Sequence, residues 1–190
     1  MKHRKSLRFG IDIDGTVTDP AGIVPLMNES FGKNLTLADY FDYNLAKVYD
    51  ISTEEFSLWL KTNGSRLYQG APIHGKAETV LRNWYENHQL IYISAREEDD
   101  RNVTLEWFSR NRIPYHQIDL IGSHNKLEAA KKWKVDLFIE DRLENALELS
   151  EELCIPVFLF DTPYNRAALP KLVYRVFTWE EIHSKIPEIL

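Results

Sequence analysis

Short apolar runs carrying β-branched or aromatic residues punctuate the chain at Phe9 to Ile13, Leu90 to Ile93, Gln117 to Ile121, Val135 to Ile139 and Ile155 to Phe160. Between them lie segments whose apolar residues recur at helical spacing. Glu78 to His88 carries Val80, Leu81 and Trp84; Arg101 to Arg112 carries Val103, Leu105 and Phe108; Leu143 to Leu153 carries Leu143, Leu147 and Leu153. Strands that alternate with one-faced helices predict an α/β fold built on a parallel sheet.

One interval breaks this rhythm. Residues 17 to 73 separate the first strand from the helix that leads into the second, far more than the usual loop of about 2–6 residues in such units. The interval reads as helical: Thr36-x-x-Asp39 starts a segment with Leu37, Tyr40, Phe41, Leu45 and Val48 on one face, and Ser52-x-x-Glu55 caps another carrying Phe56, Trp59 and Leu60. Pro72 and Gly75 mark the return. The expected organisation is a Rossmann-like core of residues 1–16 and 74–190, with helices on both faces of the sheet and a small helical cap at 17–73 inserted after the first strand.

Composition narrows the function. The 190 residues are 44% hydrophobic and 27% charged, with 23 Lys+Arg against 29 Asp+Glu and a formal net charge of −6. Such a chain repels long nucleic acids. The basic start Met1 to Lys5 runs into Asp12 and Asp14 instead of an apolar signal core, and no stretch reaches the ~18 apolar residues of a membrane span. A single cysteine, Cys154, rules out an internal disulfide and reads as a small hydrophobe in an apolar run, as expected of a reducing cytoplasmic setting.

The chemistry gathers at strand ends, where open parallel sheets bind ligands. The first strand ends Asp12-Ile13-Asp14-Gly15-Thr16. Strand alternation puts both carboxylates on one side, about 6–7 Å apart at the backbone, and Gly15 lets the chain turn away. The second ends Ser94-Ala95-Arg96, offering a hydroxyl, backbone N–H groups and a guanidinium at a helix N-terminus, an anion site; the following Glu97 to Asp100 belong on the solvated face. After the third strand, Gly122 to Lys126 opens a helix and brings Lys126 to the same edge, whereas Lys131, Lys132 and Lys134 read as solvated. The fourth ends Glu140-Asp141-Arg142, although Asp141 alone would also serve as an ordinary helix cap. Carboxylates clustered at one edge call for a cation, and oxygen-only ligands suit Mg²⁺ together with a substrate phosphate.

Taken in order, these four signatures resemble the haloacid dehalogenase superfamily, whose phosphatases carry Asp-x-Asp-Gly-Thr, a Ser or Thr after the second strand, a Lys, and an acidic pair after the fourth. The resemblance implies a nucleophile at Asp12, an acid/base at Asp14, phosphate contacts from Ser94, Ala95, Arg96 and Lys126, and Mg²⁺ held by Asp12, the Asp14 carbonyl and Asp141, with Glu140 assisting. Gly10-Ile11-Asp12-Ile13-Asp14-Gly15-Thr16, the early helical insert and Ile139-Glu140-Asp141-Arg142 are similar to the 5′(3′)-deoxyribonucleotidases and their bacterial relatives. That implies a small phosphorylated substrate, a nucleotide, whose base would stack on cap aromatics. Tyr40, Phe41, Tyr43 and Trp59 are the candidates, and all four are equally compatible with packing the cap. A phosphatase of a non-nucleotide metabolite is the main alternative. A dehalogenase has no use for Asp14, and a non-catalytic phosphate-binding module has no use for the complete set.

Overall fold

The computed structural model describes residues 6–189, so the basic stretch Met1 to Lys5 lies outside the described residues. The chain runs β1 (Arg8–Ile11), α1 (Val24–Phe31), α2 (Leu45–Tyr49), α3 (Thr53–Gly70), α4 (Ala77–Tyr85), β2 (Gln89–Ser94), α5 (Arg101–Arg110), β3 (Gln117–Leu120), α6 (Leu127–Trp133), β4 (Leu137–Glu140), α7 (Leu143–Leu153), β5 (Val157–Phe160), β6 (Val173–Val176) and α8 (Trp179–Ile189). The strands form one sheet in the order β3-β2-β1-β4-β5-β6, with every pairing parallel. The predicted α/β class is therefore the observed one.

Alternation along the strands divides the core between two faces. Phe9, Ile11, Tyr92, Ile139 and Phe158 pack against α4, α5 and α8 through Trp84, Trp107, Phe108 and Trp179. On the opposite face Ile91, Ile93, Phe138 and Leu159 meet α6 and α7 through Ala129, Ala130, Ala146 and Leu149. Each such side chain withdrawn from water contributes about 1.5–3 kcal/mol. Gly10 lies under the Phe138 ring, which occupies the space a Cβ would need; Val135 Cγ1 would be only 3.2 Å away.

Residues 17 to 73 leave and re-enter the core through one neck. Thr18 and Ile73 form an antiparallel bridge, and Asp19 N–H donates to the Pro72 carbonyl and His74 N–H to the Val17 carbonyl, both at 2.9 Å. The helices beyond the neck have their own apolar centre of Val24, Met27, Tyr40, Tyr49 and Trp59. The Ser52/Glu55 capping box starts α3 as predicted. The Thr36/Asp39 box starts only a single 3₁₀ turn, Leu37–Asp39, instead of a helix reaching Val48. Tyr40 turns away at ψ 80, the Asp42 side chain captures Asn44 N–H at 2.8 Å, and Asn44 then caps α2. Local side-chain bonds of this kind compete with helix propagation.

Two further expectations are corrected. Cys154 is exposed, because it closes α7 as a left-handed cap at φ 51 before the apolar strand begins. Phe41 is 68% exposed on the turn that replaces the expected helix. Among the described residues no helix is long and apolar enough to cross a membrane.

Gly10→Ala should force the Phe138 ring out of place. Such overpacking costs about 1–3 kcal/mol, read in a thermal melt as a Tm lower by about 2–4 °C per kcal/mol.

Candidate active site

The strand order reverses between β1 and β4, and the carboxyl ends of those two strands carry the acids. Asp12 leaves β1 with its N–H bonded to the Ile139 carbonyl at 2.9 Å; Glu140 ends β4 and Asp141 follows it. One carboxylate oxygen from each of Asp12, Glu140 and Asp141 lies within 4.8 Å of the others, and all three residues are buried. Gly15 makes this approach possible. It sits at φ 81, and a side chain there would run into the Asp141 carboxylate.

Lys126 stands at the start of α6, only 2% exposed, and ties the group together. Its Nζ donates to Asp12 Oδ1 and, at 2.9 Å, to Glu140 Oε2. Glu140 Oε1 is taken by Asn145 Nδ2 at 2.7 Å, so both Glu140 oxygens are occupied by protein donors. Burial disfavours the Lys126 ammonium, but Asp12 and Glu140 outweigh it and hold the pKa above the ordinary lysine range. Burial also raises Asp12, to about 7, against the pull of Lys126 and with the push of Glu140 and Asp14. Asp141 is raised well above its usual range by burial, then by Asp12 and Glu140. Three buried carboxylates thus face one ammonium, and Asp141 Oδ1 is buried without a hydrogen-bond partner. An orphaned carboxylate oxygen in a site rich in negative charge fits a divalent cation held by oxygen ligands.

Asp14 is the half-buried acid of the site, its two oxygens gripped by Arg96: Nε to Oδ2 at 2.8 Å and Nη2 to Oδ1 at 2.7 Å. The third arm of the guanidinium, Nη1, donates to Thr104 Oγ1 at 3.0 Å, and the Tyr68 ring of α3 lies 4.0 Å from its centre. Each of the three guanidinium nitrogens of Arg96 thus donates to a protein group. Ser94 is buried and its Oγ accepts from Arg96 N–H at 3.2 Å. The expected helix N-terminus is displaced: after Ala95 and Arg96 a 3₁₀ turn at Glu98–Asp100 precedes α5, so any anion here meets loop amides. Glu97, Glu98 and Asp99 face solvent as expected.

A cavity of about 250 Å³ opens from these residues toward the inserted helices. Asp12, Asp14, Ser94, Arg96, Lys126 and Asp141 line its floor, and Tyr40, Tyr43, Leu45, Phe56, Leu60 and Tyr68 its far side. Of the four predicted aromatics, Tyr40 and Tyr43 are in the wall. Trp59 is packed in the apolar centre of the inserted helices and Phe41 points to solvent, so neither lines the cavity. Tyr68 and His124, which the sequence did not single out, do line it, as does Tyr164 of the loop after the fifth strand, a loop whose sequence position at a strand end made it a candidate for the rim. The loop Asp161 to Asn165 contributes through Tyr164, whereas Asp161 is paired with Arg166 at 3.2 Å and Arg175 at 2.9 Å. Burial, then the charge of Asp141, pushes the Tyr164 phenol well above its usual pKa, keeping it a donor at neutral pH.

Comparison with solved structures gives the class. A HAD family hydrolase from Deinococcus radiodurans R1, with bound phosphate and sodium, superposes with a TM-score of 0.67 at 15% identity, covering 97% of this chain and 96% of that one. YfnB from Bacillus subtilis, in a magnesium-bound form, gives 0.62 at 15% identity over 96% of this chain and all of its own. The fold is that of the haloacid dehalogenase hydrolases. No protein-family model matches the chain. Curated relatives do: "Putative nucleotidase BH1399" of Halalkalibacterium halodurans is 43% identical over 190 residues, 100% of this chain and 97% of its own. "Putative nucleotidase YqfW" of Bacillus subtilis is 42% identical, with 92% and 91% covered, and "Nucleotidase CA_C3379" of Clostridium acetobutylicum is 30% identical, with 97% and 96% covered. The chain belongs to this family of nucleotidases, built on the haloacid dehalogenase fold, and is an enzyme of the phosphatase type.

Replacing Lys126 with Met should leave Asp12 and Glu140 buried without their counter-charge. Removing one partner of a buried pair costs about 3–5 kcal/mol, to be read as a lower urea midpoint with an unchanged m-value.

Proposed function

We propose that the protein is a Mg²⁺-dependent phosphomonoester hydrolase that forms an aspartyl-phosphate on Asp12 and takes nucleoside monophosphates, deoxyribonucleotides among them, as substrates. The observation that carries this reading is the placement of Asp12. It is a buried carboxylate held by Lys126 at the strand-order reversal, with Asp141 and its orphaned oxygen close by and Asp14 on the same cavity floor. The names of the curated relatives support the nucleotide assignment.

In the first step an Asp12 oxygen bonds to phosphorus and the ester P–O bond breaks, with Asp14 delivering a proton to the departing alcohol oxygen. In the second, water attacks the phosphorus, Asp14 takes a proton from that water, and the Asp12 carboxylate and inorganic phosphate are released. Splitting one displacement into two lowers each barrier. Both Asp14 oxygens accept from Arg96, which orients the carboxyl, and each keeps a second lone pair through which a proton can pass; the Tyr68 ring lies against the guanidinium. Lys126, Ser94 and the Ala95 and Arg96 amides would receive the phosphoryl oxygens. Asp12, Asp141 and the Asp14 carbonyl would hold the cation, with Glu140 orienting Lys126. When bound, Mg²⁺ would offset the repulsion between a carboxylate and a phosphate dianion, about 4 kcal/mol at 4 Å and an effective dielectric of 20.

Residues 17–73 act in this scheme as a cap. The core contacts only the phosphate, so the choice of leaving group falls to the cap wall, and closure over the cavity excludes water. Stacking a base on Tyr43 or Tyr68 would be worth about 1–3 kcal/mol, a preference of about 5- to 150-fold. A second reading is a phosphatase of compact non-nucleotide esters, which a cavity of about 250 Å³ with a largely apolar far side would also accommodate.

Phosphate release from a panel of monoesters, with Mg²⁺ and with chelator, tests the whole scheme; full turnover in chelator would rule out the metal. Asp12→Asn should lower kcat by about 10³-fold or more in a protein that melts normally. For the substrate, kcat/KM on nucleoside monophosphates should exceed that on ribose 5-phosphate, and Tyr43→Ala or Tyr68→Ala should shrink the ratio. A ratio of one in every variant would establish the second reading.

A further inference from the structure

The loop after β5 is built to hold Asp141. Tyr164 Oη donates to Asp141 Oδ2 at 2.5 Å, and the adjacent Asn165 donates through Nδ2 to the Asp141 carbonyl at 2.6 Å and the Phe160 carbonyl at 2.7 Å. The loop is braced in turn by Arg175 of β6, which reaches Asn165 Oδ1 at 2.8 Å and its carbonyl at 3.0 Å. The phenol is therefore carried on a rigid turn, not on a free side chain. It occupies one Asp141 oxygen and leaves the other, Oδ1, buried and unpartnered, in a carboxylate that has one oxygen within 4.8 Å of an Asp12 and a Glu140 oxygen.

The same ring meets the inserted segment. Tyr164 packs edge-to-face on Tyr43 with centroids 5.7 Å apart, and Arg142, the residue after Asp141, lies 4.5 Å from the Tyr43 ring centre. The residues on either side of the Asp141 carboxylate thus both touch one aromatic side chain of the cap.

We infer that Tyr164 is a positioning residue for the cation site: its hydroxyl fixes Asp141 so that a single carboxylate oxygen is presented to the metal, and its ring ties that geometry to the seating of Tyr43. This rests on the metal reading above. Hydrogen bonds to a ligating carboxylate orient it, and losing one typically weakens metal binding by about 10- to 100-fold. A phenylalanine keeps the ring contact with Tyr43 and removes only the hydroxyl, leaving Asp141 free to rotate.

The test is direct cation binding without substrate, comparing the native protein with Tyr164→Phe: Mn²⁺ titrated by electron paramagnetic resonance and Mg²⁺ by calorimetry, with the metal-free Tm of each. The expected result is Kd raised about 10- to 100-fold and an altered bound-Mn²⁺ spectrum, at a metal-free Tm within a few degrees of native. Equal affinities and spectra would overturn the role of Tyr164 while leaving the metal reading intact. A weaker affinity matched by a collapsed metal-free Tm would overturn it too, as a merely structural effect. Failure of the native protein to bind either ion would overturn both.

Discussion

The structure depends on one buried ammonium. Lys126 reaches the point where the strand order reverses and donates to both Asp12 and Glu140, acids supplied by two different strands. Without it, the ends of β1 and β4 would bring unscreened carboxylates together in a space with little water, at a cost of several kcal/mol. Even with it one Asp141 oxygen is buried without a partner beside these acids, a donor set that fits a divalent cation and so links the stability of this corner of the fold to its chemistry.

A second layer of contacts transmits that geometry outward. Arg96 spans from Asp14 to Thr104 and lies against Tyr68 of α3. Tyr164 spans from Asp141 to Tyr43. Each joins an acid of the floor to an aromatic side chain of the inserted segment, so the floor and the wall of the cavity are positioned by common residues. Such cross-ties hold floor and wall in register, which matters wherever small displacements of a buried polar cluster are costly.

Some of the departures from the sequence reading have local causes. Pro25 near the start of α1 and Gly32 in the left-handed conformation at its end are ordinary helix signals that hydrophobic spacing did not bring out. The strand β6 escaped because it is four residues long and includes Arg175, half-buried by its bonds to Asp161 and Asn165. Helix α8 contains Pro187, which argues against a helix until Ile182 and Ile186 are seen packed in the core.

The sequence by itself determined the parallel α/β architecture, the position of the long insert and the strand-end motifs, because period, apolar density and strand-end position are properties of contiguous residues. It also brought Asp12, Asp14, Lys126, Glu140 and Asp141 to one edge, since carboxyl ends of parallel strands necessarily share it. Only the tertiary structure decided what each side chain touches. It committed Arg96 to Asp14, gave Glu140 to Lys126 and Asn145, buried Trp59, exposed Phe41 and brought Tyr68 and Tyr164 to the cavity. Those outcomes turn on distances between residues remote in the chain, Arg96 from Asp14 and Tyr164 from Asp141, and no local periodicity encodes them.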